Sequence, residues 1–274
     1  MEFPVPFLRV MSFNIRLNVS GDGPNAWPYR KDLAASMFHL HRPDIMGLQE
    51  ALSDQVDDLA TRLSDFAWVG VGREDGARKG EFAVIFYRRA RFVLLDQGTF
   101  WLSETPDVPG SKGWDAACVR IATWAQFRDV ATDVVFFFYN THFDHRGEQA
   151  RKASARLLLN DAHARASAVP VIVVGDLNCD EQSPAYRLLT GDAADIPFRL
   201  WDAKIRSALP HHGPSGTFHA FTGKPRERID YIFVSENIHV LRHATLADYW
   251  DGERYPSDHM PVVADVAFGG QAVG

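Results

Sequence analysis

Val134-Val135-Phe136-Phe137-Phe138-Tyr139-Asn140-Thr141-His142 is the stretch on which the fold turns. Its apolar run is far too short to span a bilayer. It is rich in β-branched and aromatic residues, as a buried strand is, and reads as a strand over Val134–Thr141. It then stops abruptly at an amide, a hydroxyl and an imidazole. The same grammar recurs downstream, where the strand Val169–Gly175 runs into Asp176-Leu177-Asn178. A strand that delivers polar groups where its apolar run ends is how a sheet scaffold holds a site rigidly.

Working outward, strands are predicted at Leu8–Ile15, Asp44–Leu48, Trp68–Val71, Phe82–Tyr87, Phe92–Thr99, Thr123–Arg128, Ile229–Val234, Val240–Thr245 and Val262–Phe268. Helical spacing is found at Arg30–Leu40, Ser53–Leu63, Glu148–Ala166 and Pro184–Leu189; in the second of these Val56, Leu59, Ala60 and Leu63 share one face. Ser103–Ala117, with Pro106, Pro109, Gly110 and Gly113, reads as a long loop, and long ordered loops tend to be functional. So many strands with few long helices exceed one open layer. Two sheets packed face to face, with helices outside, would bury every apolar face. No repeat, low-complexity run or linker divides the chain, so residues 1–274 are expected to form a single catalytic-size domain.

Composition narrows the function. The chain is 46% hydrophobic and 12% aromatic, with a formal net charge of −6. Proteins that grip long duplex DNA usually carry a basic excess, so a small or short single-stranded partner fits better. Cys118 and Cys179 form no CxxC unit, and Met1-Glu2-Phe3-Pro4 shows no basic region leading into a long apolar one. The expectation is cytoplasmic residence with no membrane insertion and no obligate protein partner.

The strand ends carry the chemistry. Asn14 follows Val10–Phe13, Glu50 follows Ile45–Leu48, and Asp258-His259 precedes Val262-Val263. Glu50, Asp176 and Asp258 are hard oxygen donors, and Asn14 and Asn178 offer neutral carbonyl oxygens. That set suits Mg2+ or Mn2+ better than Zn2+, since no thiolate or paired-histidine unit accompanies it. Asp230, in Arg228-Ile229-Asp230-Tyr231, is expected to orient the imidazole of His259. His142 is expected to donate to a phosphate oxygen, with Glu81 keeping it protonated.

Ser12-Phe13-Asn14-Ile15-Arg16, Leu48-Gln49-Glu50, Asn140-Thr141-His142, Gly175-Asp176-Leu177-Asn178, Arg228-Ile229-Asp230-Tyr231 and Ser257-Asp258-His259 together resemble the ordered motifs of the endonuclease/exonuclease/phosphatase superfamily. That group includes pancreatic-type deoxyribonucleases, apurinic/apyrimidinic endonucleases, inositol-polyphosphate phosphatases, sphingomyelinases and deadenylases. The resemblance covers essentially the whole chain. It implies an α/β fold, a four-layer sandwich of two mixed, mostly antiparallel sheets flanked by helices, and a divalent-metal-dependent phosphoesterase. It makes Glu50 the principal metal ligand, with Asn14 beside it and Asp258 near the metal. It makes Asp176 the group that orients or deprotonates water, Asn178, His142 and His259 the phosphate contacts, and Asp230 the support of His259. Gly98–Pro106 and Thr141–His145 resemble a bacterial branch nearer the deadenylase-like members.

A polar residue at a strand end is usually a turn or cap residue, and only the ordered set argues against that reading here. Arg120, Arg146, Arg151 and Arg228 are candidate phosphate clamps, against a solvated-face role. Trp114 is a candidate stacking residue, against a loop anchor. Asp144 and His145 lie where substrate could reach. Ser257-Asp258-His259 cannot be a serine triad in series, because neighbours on an extended chain point to opposite sides, and no GxSxG is present. Nuclease and small-molecule phosphatase stay open, and a non-catalytic phosphate-binding module on the same fold is the alternative.

Overall fold

The computed structural model describes residues 6–166, 169–192, 195, 198–252 and 254–269. Met1–Pro4, read above for a leader segment, lies outside them. Among the described residues twelve strands are formed: β1 (Leu8–Asn14), β2 (Ile45–Ala51), β3 (Phe66–Val69), β4 (Phe82–Arg88), β5 (Phe92–Trp101), β6 (Ile121–Asp129), β7 (Val135–His142), β8 (Val171–Asp176), β9 (Trp201–Asp202), β10 (Asp230–Val234), β11 (Ile238–Thr245) and β12 (Val262–Phe268). The helices are α1 (Trp27–His41), α2 (Ser53–Arg62), α3 (Glu148–Ala166), α4 (Pro184–Arg187) and α5 (Ala203–Arg206). The strands make two six-stranded sheets in the orders β11-β12-β1-β2-β4-β3 and β5-β6-β7-β8-β10-β9. The pairs β1–β2 and β7–β8 are parallel and the others antiparallel, so both sheets are mixed. Each element expected from the sequence is present with ends moved by a few residues. The short β9 and α5 and a 3-10 turn at Ser20–Asn25 carry too little periodicity to be read in advance.

Strand alternation explains the layering. Phe136 and Phe138 of β7 enter the core between the sheets, with Val10, Ile45, Ile85, Ile172 and Val174. Phe137 and Tyr139 face the other way, against Ala155, Leu158, Leu159 and Ala162 of α3. On the first sheet Met11, Phe13, Met46 and Leu48 pack outward with Trp27, Met37 and Phe38 of α1 and Val56 and Leu59 of α2. The result is helix, sheet, sheet, helix.

Two local features set the site end of the sandwich. Gly47 allows the sheets to approach: a Cβ there would lie 2.4 Å from Val174 Cγ2 and 2.6 Å from Asn140 Cγ. Across that gap the buried Asn140 donates to the Leu48 and Val84 carbonyls at 2.9 and 2.8 Å, and accepts from Gln49 Nε2 at 2.7 Å. Immediately beyond, β2 bulges: Leu48 pairs with Val84 but Ala51 with Phe82, so two residues oppose one. Glu50 takes φ 61° inside this bulge. A bulge re-aims a side chain, and here it turns Glu50 out of the pleat and into the cleft described next.

Candidate active site

Three neighbouring strands of the second sheet end in a row. His142 stands opposite Asp176 in the parallel β7–β8 register, and Asp230 stands opposite Asp176 in the antiparallel β8–β10 register. Register partners project to the same side, so one imidazole and two carboxylates converge. The first sheet adds Asn14 and Glu50 from its parallel pair, and the segment before β12 adds Asp258 and His259. Together they form a cleft of about 410 Å3, whose walls include Glu50, Glu81, Arg120, His142, His145, Asp176, Asn178, Asp258 and His259.

Asp176 is the hub. Its Oδ1 accepts from the Asn178 backbone N–H at 2.9 Å, and its Oδ2 accepts from Asn14 Nδ2 at 3.0 Å. His142 Nε2 lies 3.5 Å and His259 Nε2 3.8 Å from the same Oδ2. Burial, reinforced by the charge of Asp230, pushes the Asp176 carboxyl up to about 7, against the opposing pull of His259. His259 Nδ1 donates to Asp230 Oδ2 at 2.8 Å. Burial disfavours the imidazolium, but the charge and hydrogen bond of Asp230, with Asp176 and Asp258 behind them, hold it up at about 10. The Phe218 ring, 5.0 Å away, packs on the imidazole.

Asn14 departs from the expectation of a carbonyl ligand. Its Oδ1 accepts from the Arg16 backbone N–H at 3.0 Å, and what it turns toward Glu50 and Asp176 is its amide nitrogen, 3.0 Å from each. It orients carboxylates. The expectation that Glu81 keeps His142 protonated also fails. Burial, then the charges of Arg120 and Arg73, drives His142 well below the ordinary imidazole range. Glu81 Oε2 is 3.9 Å from His142 Nδ1 and is held instead by Arg73 at 2.6 Å. The Asn178 amide donates to the Phe143 carbonyl at 3.0 Å and to His142 Nε2 at 2.9 Å, so His142 is neutral with its proton on Nδ1. Burial also raises the Glu81 carboxyl, against Arg73.

Several sequence candidates stand elsewhere. Arg228 is a strut: Nη1 and Nη2 each donate to Asp202 at 2.7 Å, Nη1 reaches Glu181 at 3.1 Å, and the guanidinium lies 4.4 Å over the Tyr231 ring. Its neighbours Glu227 and Ile229 line the cleft, and alternation turns Arg228 away. Asp144 locks loops together, accepting four backbone N–H bonds from Ala117, Cys118, Arg146 and Gly147 at 2.8 to 3.0 Å. Those bonds overcome its burial and hold its carboxyl far below the usual range. Cys118, Asp144 and His145 are close enough to share an ion. Both oxygens of Asp144 are thus committed, however, and His145 Nδ1 faces Arg120 at 3.2 Å. Arg151 Nη1 braces the Asp144 carbonyl at 2.8 Å, and Arg146 is exposed. Neither they nor Trp114, whose backbone N–H is held by Glu104 at 3.1 Å, is among the cleft-lining residues.

Two arginines were missed. Arg16 lines the cleft, paired with Asp22 at 2.9 Å and lying 3.9 Å from Glu50 and 4.0 Å from Asp258. Its place two residues after Asn14 was the available signal. Arg30 of α1 is buried and donates to the carbonyls of Ile15, Arg16, Asn25 and Pro256. It ties the segment after Asn14 to the one before Ser257-Asp258-His259. Nothing in its helical surroundings marks that role.

The donor chemistry fits a divalent cation. Glu50, Asp176 and Asp258 share the cleft, and Asp230 lies behind them with its Oδ1 buried and unpartnered. Asp258 is raised by burial and by the charge of Glu50, more than His259, Arg16 and Arg30 offset. Carboxylates crowded together in this way gain from a cation between them.

The fold and the polar set together define a phosphoester-handling α/β sandwich. Residues 11–259 match the Endonuclease/Exonuclease/phosphatase family, and the chain belongs to that family, whose members are metal-dependent phosphoesterases. The chain is similar to a Bacteroides vulgatus endonuclease/exonuclease/phosphatase of known structure, at 40% identity and TM-score 0.91 over 96% of this chain and 100% of that one. It is similar to the Bacteroides thetaiotaomicron mannosyl-6-phosphatase at 37% identity and TM-score 0.88, over 95% and 100%. Nocturnin of Xenopus laevis is a more distant relative, 24% identical over 95% of this chain and 72% of its own.

Proposed function

We propose that this cleft hydrolyses a small phosphate ester with water as the nucleophile and Asp176 as the base. The observation that carries the reading is the position of Asp176, held from both sides by Asn14 and Asn178 and flanked by the cationic His259. A carboxyl poised near 7 is matched to general-base work at neutral pH. His259, kept cationic and oriented by Asp230, is the electrostatic partner for charge building on the phosphoryl oxygens. Glu50 and Asp258 would hold Mg2+ or Mn2+, which would polarise the phosphoryl group and steady the leaving oxygen. The similarity to a mannosyl-6-phosphatase supports a small ester over a polymer, as does the acidic balance of the chain.

The test is hydrolysis of p-nitrophenyl phosphate, bis-p-nitrophenyl phosphate, sugar phosphates and oligonucleotides, with and without magnesium or manganese. Asp176→Asn is expected to lower kcat by about 10^2–10^4, the usual span for losing a general base. Near-wild-type turnover in that variant removes the assigned base. Tight cation binding with no turnover of any ester favours the phosphate-binding module.

A further inference from the structure

We infer that Phe218 and Glu227 form the leaving-group subsite of this cleft, and that it takes a polyhydroxylated group, a sugar or polyol, rather than an aryl group or a nucleic-acid strand. The inference rests on the hydrolytic reading above and names the alcohol half of its substrate.

The segment Thr217-Phe218 runs between two others. Phe218 pairs antiparallel with His259 on one side and with Glu227 on the other. Around the first pair the His219 N–H donates to the Asp258 carbonyl at 2.9 Å, and the Met260 N–H to the Thr217 carbonyl at 2.7 Å. That is the kind of antiparallel pair whose side chains sit closest, and the Phe218 ring is accordingly 5.0 Å from the imidazole. Around the second, the Phe218 N–H donates to the Glu227 carbonyl at 3.1 Å, and the Arg226 N–H to the Phe218 carbonyl at 3.0 Å. Thr217 Oγ1 accepts the N–H groups of Ile229 and Asp230 at 3.1 and 3.2 Å, which ties the segment to the start of β10.

Register partners project to the same side, so His259, Phe218 and Glu227 stand in a row along one wall of the cleft, and all three line it. Neighbouring strands lie about 4.8 Å apart, which sets Glu227 about 10 Å from His259. The backbone thus fixes an order: the cationic imidazole, then an aromatic ring, then a carboxylate. The outer two are open to a ligand. Phe218 is half-buried and Glu227 exposed, and among the described residues no donor meets the Glu227 carboxylate.

An ester whose phosphoryl group is held at His259 lays its alcohol over Phe218 when it extends along this wall, and its far end reaches Glu227. A sugar pairs an apolar C–H face with a rim of hydroxyls. An aromatic ring meets the first, and an ionised acceptor the second. An aryl or alkyl group would desolvate Glu227 without supplying a donor. A nucleic-acid strand would bring its next phosphate close to that carboxylate, where like charges repel. The scissile phosphoryl, about 10 Å away, lies near the Debye length at physiological salt and is little affected.

The experiment compares kcat/KM at saturating magnesium for three esters. Glucose 6-phosphate has ring and hydroxyls, cyclohexylmethyl phosphate keeps the ring alone, and ethyl phosphate has neither. Inhibition by their non-hydrolysable phosphonate analogues gives a binding readout. Wild type is expected to favour glucose 6-phosphate over cyclohexylmethyl phosphate by about tenfold, the lower end for a hydrogen bond to a charged group, because Glu227 is exposed. Glu227→Ala should erase that ratio, in turnover and in inhibition alike. Glu227→Gln, which keeps an acceptor without the charge, should retain part of it. Phe218→Leu should lower both ring esters relative to ethyl phosphate; the ratio is what counts, because Phe218 also packs on His259. Glu227, being exposed, carries the test if Phe218→Leu does not fold. Equal losses on glucose 6-phosphate and cyclohexylmethyl phosphate in Glu227→Ala overturn the inference alone. So does an active wild type that shows no such preference, or that favours oligonucleotides. A wild type with no metal-dependent turnover of any ester overturns the hydrolytic reading with it.

Discussion

Arg228 offers the sharpest test of how this structure divides support from chemistry. It lies in Arg228-Ile229-Asp230-Tyr231, one residue from the cleft, and an arginine there invites the reading of a phosphate clamp. The structure instead buries it against Asp202 with two 2.7 Å bonds, and Asp202 also accepts from Tyr186 Oη and the Lys204 N–H, both at 2.9 Å. Removing the arginine strands a buried carboxylate. Breaking a buried pair from one side costs about 3–5 kcal/mol, because the remaining charge keeps its desolvation penalty and loses its compensation. Arg228→Met should therefore lower the urea-unfolding free energy by about that amount, a large share of the 5–15 kcal/mol of an ordinary domain. Arg228→Met combined with Asp202→Asn should cost less than the two single changes added, with a coupling of about 1–3 kcal/mol. Asp202 is held below the usual carboxylate range because Arg228 outweighs its burial. The stability it lends is thus present above the unfolded pKa and lost as pH falls through the folded one, so the Arg228→Met deficit should shrink in acid. Measured well below the melting temperature, kcat/KM should change by less than about tenfold, since the side chain points away from the cleft. A variant of unchanged stability whose KM for phosphate esters rises a hundredfold would refute this assignment and restore the clamp.

The remaining predictions follow from the same contacts. His259 is raised to about 10, so its contribution is complete below its unfolded value near 6.5 and is lost as pH rises through 10. Asp230→Asn in chelator-treated protein should then cost on the order of 3–4 kcal/mol at neutral pH and little by pH 10, and urea titrations at several pH values check this. Asp176, raised to about 7, makes the empty protein progressively less stable as pH rises from its unfolded value through 7. Cation binding at pH 6 should release a proton, read by calorimetry in buffers of different ionisation enthalpy; buffer-independent heats would count against it. Gly47→Ala forces a methyl against Val174 and Asn140 and should cost about 1–3 kcal/mol, with some loss of activity as the strand ends shift. An unchanged unfolding midpoint would mean that the sheets are not as close as described.

Much was decided by the linear chain. The apolar runs before Asn14, Glu50, His142 and Asp176 set both the strands and the places where they stop, because alternation and abrupt polar endings are local properties. The ordered polar groups at those endings named the family and most of the cleft. What the chain could not declare was direction. Whether the Asn14 amide or its carbonyl meets Glu50, whether Arg228 points toward the cleft or toward Asp202, and whether Asp144 meets substrate or loop backbone depend on partners far along the chain. Protonation is decided there as well. His142 and His259 are both buried histidines beside carboxylates, yet burial with the charges of Arg120 and Arg73 holds one low, while Asp230 outweighs burial and holds the other cationic. Those neighbours meet only when the two sheets close over Gly47. Charge and hydrogen bonding act through space over a few ångströms, and sequence order fixes which residues are present but not which of them end up that close.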